Sequence, residues 1–308
     1  MRHPVQQAGI NTRDKTTGNV SGSSMIEGLA VISRLPGALL RSLLIIWLVV
    51  TPSLLLPGVT HDATQVAILV AVFAAILTLI EYSSAYPSFV EFRHAPPFNR
   101  VRFLSLFLTV VLLTLIARGK VHPTALTEFV TEVGGLIGML IDFPYSPVRN
   151  VVLMLPADAG PDLIEMVRTA AGMAYLCSLT SLAVFMIILR LDRWPSRHGD
   201  FNVYINLPTF DPTAGGDVVE RLQRDARVNV ALGFVLPFLI PAVATIGSAN
   251  FTALSIESPQ TLIWTMSAWA FLPTSLFMRG IAMGRVAQMI EEKRRRRYAE
   301  FGEDGLVV

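Results

Sequence analysis

The sequence predicts an all-α, polytopic integral membrane protein with six transmembrane helices and both termini in the cytoplasm (N-in/C-in). Three observations predict this fold: the composition, six charge-free apolar segments, and the distribution of basic residues. Of the 308 residues, 52% are hydrophobic and 16% are charged, and the mean hydropathy is +0.54. A soluble domain usually carries about 25% charged residues. The composition therefore excludes a disordered protein, a collagen, a disulfide scaffold and most soluble enzymes.

Six segments are long and apolar enough to cross the ~30 Å hydrocarbon core, which requires about 20 residues of helix. The predicted spans cover approximately residues 38–58, 63–82, 102–118, 168–190, 228–250 and 259–279. The third span is short, but Arg102 and Arg118 can extend their side chains to opposite interfaces. Residues 133–156 are apolar in part, yet Asp142 and several prolines break this segment. A lipid-facing helix cannot leave so many backbone groups unpaired.

Basic residues are concentrated on one side of the predicted bundle. That side holds the N-terminus, the second and fourth connections and the C-terminus, and it carries 21 of the 25 lysine and arginine residues. Such an excess is typical of cytoplasmic segments. Lysine occurs only at Lys15, Lys120 and Lys293, and this preference for arginine is typical of a GC-rich bacterial genome. We therefore expect a multi-pass protein of the bacterial inner membrane.

The polar parts of the chain flank or connect these spans. Residues 1–34 are predicted to be a disordered or peripheral cytoplasmic segment, residues 35–282 the transmembrane domain, and residues 283–308 a basic cytoplasmic helix and tail. In the cytoplasmic loop 191–227, the alternation at residues 201–207 predicts a strand. A helix that Asp211 and Pro212 open is predicted to run through residues 217–227 and to lead directly into the fifth span.

One segment between the spans has the pattern of an amphipathic helix. Its apolar residues recur every three or four positions along residues 124–142; they are Leu126, Phe129, Val130, Val133, Ile137, Leu140 and Ile141. This spacing places them on one helical face. We expect a helix that lies in the periplasmic interface. The alternative is a re-entrant hairpin formed with residues 151–156.

Titratable residues are absent from the midplane of every predicted span. Ion-coupled transporters and proteins that bind haem inside the bilayer usually need such residues, so this pattern argues against both classes. The single cysteine, Cys177, is interpreted as an apolar packing residue. The motifs of nucleotide, zinc and nucleophile sites are also missing. We therefore predict no catalytic residue, no metal site and no cofactor, and the net charge of +2 gives no reason to expect a nucleic-acid partner.

Three groups of residues are candidates for binding. A cytoplasmic docking or headgroup surface could combine Arg93, His94, Arg100, Arg193, Arg197, His198 and Asp200. The basic run Lys293, Arg294, Arg295, Arg296 and Arg297 could contact anionic lipid, dock an acidic partner or only anchor the chain. A translocation path could be lined by Ser178, Thr180, Ser181, Gly233, Pro237 and Pro241, although close helix packing explains the same residues.

These candidates give three hypotheses for the function. The first is a non-enzymatic subunit or assembly and scaffold factor of a membrane complex, with the bilayer and either a second membrane protein or a second copy as partners. The second is a transporter or channel for an apolar or zwitterionic solute. The third is an enzyme that acts on lipid at the cytoplasmic interface through His94, His198 and Asp200.

Overall fold

The computed structural model confirms an all-helical membrane protein. It describes residues 17–192, 194–195, 201–211, 213, 215–248 and 258–304. These residues form nine helices and no strand. Six of the helices are long and apolar enough to cross a membrane, as the sequence predicts.

The helices are numbered in chain order. The six long ones are α1 (Thr17–Leu55), α2 (His61–Ser83), α3 (Phe98–Gly119), α6 (Pro161–Leu191), α8 (Val218–Ser248) and α9 (Pro259–Asp304). The three short ones are α4 (Ala125–Leu140), α5 (Pro147–Val152) and α7 (Val203–Asn206).

Several helices extend beyond the predicted spans. Helix α1 already begins at Thr17, so residues 17–24 are helical where the sequence predicts a disordered tail; residues 1–16 lie outside the described residues. Helix α8 begins at Val218 and α9 continues to Asp304. Both long helices therefore run from a span into a polar segment without a break.

The predicted strand at residues 201–207 is wrong, because this segment contains the short helix α7. The side chain of Asn202 accepts a hydrogen bond from the Ile205 backbone N–H at 3.4 Å, and thereby caps the first turn. A strand needs a partner to pair its backbone groups. With no strand among the described residues, a capped helical turn satisfies the backbone locally.

The bundle is built around α3, α6 and α9, which all pack against one another. Helix α1 covers α3 and touches α9, and α2 packs mainly on α1. Helix α8 packs along α9 on the other side, while α4 and α5 contact α6. Helix α9 thus has contacts with four of the other long helices.

Buried apolar side chains form two separate cores. The first lies within the spans and reaches α4 and α5, with Leu113, Ala174 and Met266 among its members. The second lies at the opposite end of the bundle, around Phe92 and Trp194. We call this end, where α2 and α6 end and α3 and α8 begin, the arginine end; the end with α4 and α5 is the far end.

Helix α4 lies within the predicted helix at residues 124–142. Thr127, Val130, Gly134 and Gly138 are the buried residues of this helix. Several residues of the predicted apolar face are exposed, with Leu126 at 58%, Phe129 at 63% and Leu140 at 66%. The glycines allow the backbone of α4 to touch that of α6. The location of α4 in the membrane interface stays a prediction.

An ion-pair cluster closes the far end. The carboxylate of Asp142, with a side chain only 5% exposed, lies 2.8 Å from Arg149 Nε and 3.6 Å from Arg168 Nη1. Asp142 follows α4, Arg149 belongs to α5 and Arg168 to α6. The cluster therefore joins the two short helices to the bundle.

Candidate functional site

A buried ion pair lies at the centre of the arginine end. The carboxylate of Glu91 accepts hydrogen bonds from Arg279 Nε at 2.6 Å and from Arg279 Nη2 at 2.8 Å. The Thr209 hydroxyl donates to the same carboxylate at 2.6 Å. The side chains of Glu91 and Arg279 are 10% and 25% exposed. This bidentate geometry joins the α2–α3 connection, the α7–α8 connection and α9.

The neighbouring residue, Phe92, has an unusual backbone. Its φ angle of 52° lies in the left-handed region, which costs a non-glycine residue about 1–2 kcal/mol. Its N–H donates to the Asn206 carbonyl at 2.6 Å, and its ring lies 4.6 Å from that of Phe98 and 5.8 Å from that of Trp194. Aromatic packing and this hydrogen bond hold the strained turn in place. They also fix the position of Glu91.

Arg93 fixes the end of α2. Its Nη1 donates to the carbonyls of Glu81 at 2.7 Å and Ser84 at 2.8 Å, and its Nε donates to His94 Nε2 at 2.8 Å. Cations are favoured at a helix C-terminus, where carbonyl groups lack helical partners. Burial, followed by the charge of Arg34, lowers the pKa of Arg93. These hydrogen bonds of the Arg93 guanidinium group stabilise the connection between α2 and α3.

His94 joins this connection to the loop after α6. Its backbone N–H donates to Asn206 Oδ1 at 3.1 Å, while its imidazole is exposed. Partial burial and the charges of Arg93 and Arg34 lower the pKa of the imidazole below its usual value. The neutral ring accepts the hydrogen bond from Arg93. Protonation would place an N–H donor and a second positive charge against that guanidinium group.

The carboxylate of Glu81 also stabilises the connection between α2 and α3. Its carboxylate accepts hydrogen bonds from the backbone N–H groups of Ser88 at 3.0 Å, Phe89 at 3.0 Å and Val90 at 3.1 Å. Successive backbone N–H groups that converge in this way form an anion-binding turn. The connection between α2 and α3 is therefore a folded unit held by Glu81, Arg93 and Glu91.

The predicted basic run lies on the last turns of α9, where the side chains are exposed. Arg294 Nη1 donates to Asp217 Oδ1 at 2.8 Å, and Arg295 lies 3.4 Å from Glu291. Asp217 also accepts from the Val219 N–H at 3.0 Å at the start of α8. This backbone hydrogen bond and the bond from Arg294 lower the pKa of Asp217. They connect the extension of α9 to the beginning of α8.

The predicted docking surface is described only in part. Arg93 and His94 lie side by side on the α2–α3 connection, and Arg100 is exposed in the first turn of α3. The four others, Arg193, Arg197, His198 and Asp200, lie outside the described residues. The two connections do contact each other, through Phe92, His94 and Asn206. The role of this surface stays a prediction.

The serine residues of the predicted path make hydrogen bonds between and within helices. Ser178 is buried, and its hydroxyl donates to the Ala270 carbonyl of α9 at 2.7 Å. Ser181 donates to the Ser178 carbonyl at 2.8 Å and accepts from Ser105 of α3 at 3.0 Å. Thr180 is exposed on the outside of the bundle. Interhelical hydrogen bonds of this kind stabilise membrane bundles.

The α8 residues of the predicted path lie against α9. A Cβ atom on Gly233 would be 2.7 Å from the Pro273 carbonyl oxygen, so this glycine allows the two backbones to touch. Pro241 has no N–H to donate to the Pro237 carbonyl in the preceding turn. The indole N–H of Trp269 donates to that carbonyl instead, at 3.0 Å. These contacts give the residues a packing role, while a solute path through them stays a prediction.

Sequence reasoning missed Glu91, Thr209 and Arg279 as a unit. The three residues are far apart in the chain, and the pairing of Glu91 with Arg279 spans 188 positions. A signal was available, because Arg279 interrupts an otherwise apolar helix and needs a partner when it is buried. The sequence alone does not identify which carboxylate supplies it.

No known protein family, curated protein or solved structure matches this chain.

Proposed function

We propose that the protein is a non-enzymatic subunit or assembly scaffold of a membrane complex, and that its arginine end binds the partner protein. The extension of α9 beyond Arg279 supports this function. After Arg279, helix α9 first packs in the second core as far as residue 290. The following residues up to Asp304 extend roughly 21 Å further at 1.5 Å per residue. Residues 291–299 are exposed on all sides, and a helix that is polar all round can bridge through solvent to another folded unit.

The second core gives this extension a rigid base. Trp194, Leu222 and Met283 belong to a buried cluster outside the first core, and it unites the connections with α8 and α9. Simple linkers between spans need no core of their own. The Arg294–Asp217 bond further fixes the direction of the extension. A rigid, charged projection fits a scaffold that positions a partner.

The contacts inside the bundle favour this function over the two alternatives. Ser178 and Trp269 donate hydrogen bonds to carbonyls of neighbouring helices, and Gly233 lets two backbones touch. These contacts account for the predicted path residues without a solute. For lipid chemistry, the imidazole of His94 would have to be available, but its Nε2 already accepts the hydrogen bond from Arg93 at 2.8 Å. The other two residues of that hypothesis, His198 and Asp200, lie outside the described residues.

A complex of defined composition is the expected finding. The full chain, extracted from its native membrane with a styrene–maleic copolymer, should appear in native mass spectrometry with a partner at fixed stoichiometry. Replacing Arg296 and Arg297 with glutamine should lower the yield of that complex about fivefold, since two surface charge pairs at about 0.5 kcal/mol each contribute about 1 kcal/mol.

The matched control removes two exposed charges elsewhere at the same end, Arg190→Gln with Arg224→Gln, and should leave the yield unchanged. A wild-type chain that is recovered only as a monomer would contradict the proposal. Equal yields of the complex from both double variants would show that the α9 extension does not bind the partner.

We further propose that the arginine end faces the cytoplasm of a bacterial inner membrane, as the distribution of basic residues supports. Tyr145 at the far end is 87% exposed and Tyr298 at the arginine end is 77% exposed. In a Cys177→Ala background, an impermeant maleimide should label Tyr145→Cys on the outside of spheroplasts. Tyr298→Cys should react only after lysis. Labelling of both cysteines before lysis would refute this topology.

A further inference from the structure

One buried guanidinium nitrogen at the arginine end makes no hydrogen bond within the described part of the protein. Arg102 lies in α3 with its guanidinium group 4.9 Å from the ring centroid of Phe98 and 5.8 Å from that of Phe271. Its Nε is buried and makes no hydrogen bond. Ring faces attract the cation but leave the N–H donor unsatisfied. A buried donor on a charged group is costly unless an acceptor reaches it.

Arg102 is one of three arginines whose charges act on Tyr82. The Tyr82 hydroxyl is hydrogen-bonded to Arg41 and interacts electrostatically with Arg41, Arg102 and Arg93. That of Arg41 lies 4.6 Å from the centroid of the Tyr82 ring. Arg41 comes from α1, Tyr82 from α2 and Arg102 from α3. Three helices therefore bring positive charge to one place.

The carboxylates described nearby are already bound. Glu81 accepts three backbone N–H groups, and Glu91 is held by Arg279 and Thr209. Arg34 adds a further positive charge, close enough to Arg93 to affect its pKa. Within the described part of this region, guanidinium groups thus outnumber carboxylates. Such an excess attracts an anion that can accept several N–H donors at once.

We propose that Arg41 and Arg102 bind a phosphate group between α1, α2 and α3, beside Tyr82. A phosphate offers several oxygen acceptors, and the planar fork of arginine matches its geometry. The site lies where α1 and α3 enter the apolar part of the bundle, and Leu40 and Leu43 next to Arg41 are 60% and 62% exposed. Basic pockets between transmembrane helices bind phospholipid headgroups in this way. A soluble phosphate has the same chemistry.

Two arms of one experiment distinguish these sources. In the first, the delipidated full chain in detergent is titrated with phosphatidylglycerol, and bound lipid is measured by native mass spectrometry. In the second, inorganic phosphate is added without lipid, and the midpoint of thermal unfolding is followed. We expect the lipid to bind, and Arg102→Gln to weaken this binding at least about tenfold, equivalent to 1.4 kcal/mol.

Arg41→Gln should also weaken the binding of phosphatidylglycerol. Because the Arg41 side chain is exposed, this variant is expected to fold. The control is Arg190→Gln, which removes an exposed charge from the last turn of α6 at the same end of the bundle and should bind like the wild type. If phosphate alone raises the midpoint in an Arg41-dependent way, the same site takes a soluble phosphate.

The proposal fails if Arg41→Gln and Arg102→Gln bind phosphatidylglycerol as the wild type does and phosphate leaves the midpoint unchanged. It also fails if Arg190→Gln weakens binding as much as they do, because a diffuse positive surface would then explain the result. If Arg102→Gln does not fold, Arg102→Lys and Arg41→Gln replace it in the binding experiment. Lysine keeps the positive charge but lacks the paired N–H donors of the guanidinium group, so Arg102→Lys should also weaken lipid binding.

Discussion

Replacing Gly172 with alanine should push α4 away from α6 and lower the free energy of unfolding by about 3 kcal/mol. A Cβ atom at this position would lie 2.5 Å from the Cα and the backbone nitrogen of Gly138, and 2.9 Å from the Gly134 carbonyl oxygen. No rotamer change can relieve a clash with backbone atoms. The helices must therefore separate, and the cost lies at the upper end of the range for overpacked cores.

The matched control is Gly135→Ala, which lies on α4 about one turn before Gly138, the residue closest to Gly172. Its Cβ atom would meet only Thr169 Oγ1, at an ordinary 3.7 Å. Alanine also favours the helical backbone relative to glycine. Unfolding in mixed micelles with increasing sodium dodecyl sulfate measures both variants. Comparable losses from the two substitutions would show that the glycine contact between α4 and α6 is not as close as described.

Replacing Glu91 with alanine should cost about 3 kcal/mol, because it leaves Arg279 largely buried without a counter-charge. The estimate is at the lower end of the range for broken buried pairs, since a quarter of the Arg279 side chain is exposed. Thr209 also loses its acceptor. Trp194 lies in the same core and is 3% exposed, so its fluorescence should shift to longer wavelength when this core opens.

An exposed pair on α9 provides the comparison for this variant. Glu291 and Arg295 lie 3.4 Å apart with side chains 49% and 79% exposed, so Glu291→Ala should cost no more than about 0.5 kcal/mol. Adding Arg279→Met to Glu91→Ala should recover part of the loss, because the unpaired charge is then gone. If Glu91→Ala is as stable as Glu291→Ala, the buried pair does not hold the arginine end together.

The number of long helices could be predicted from the sequence because the bilayer imposes a length and a composition on every span. All six predicted spans lie within or overlap helices of the structure, and the continuations at Val218 and past Arg279 are also present. These features depend on local sequence. Each requires only that apolar residues or good helix formers follow one another.

The failures depend on contacts between distant parts of the chain. For α4, the apolar periodicity could not indicate which face packs on α6, because in lipid an apolar face gains nothing by turning inward. Close packing decides, and Gly134 and Gly138 allow the closest approach to Gly172. The segment 201–207 alternates like a strand, yet a strand requires a partner. Glu91 looked like one more charge in a loop because its partner lies in the last helix.

The position of α9 has a consequence for how the protein is made. This helix supplies Arg279 to Glu91, the indole of Trp269 to the Pro237 carbonyl and the Ala270 carbonyl to Ser178. Since the chain leaves the ribosome from its N-terminus, these three groups of the earlier segments are synthesised before their partners in α9. The bundle therefore cannot complete its contacts until α9 has been translated and inserted beside the earlier spans.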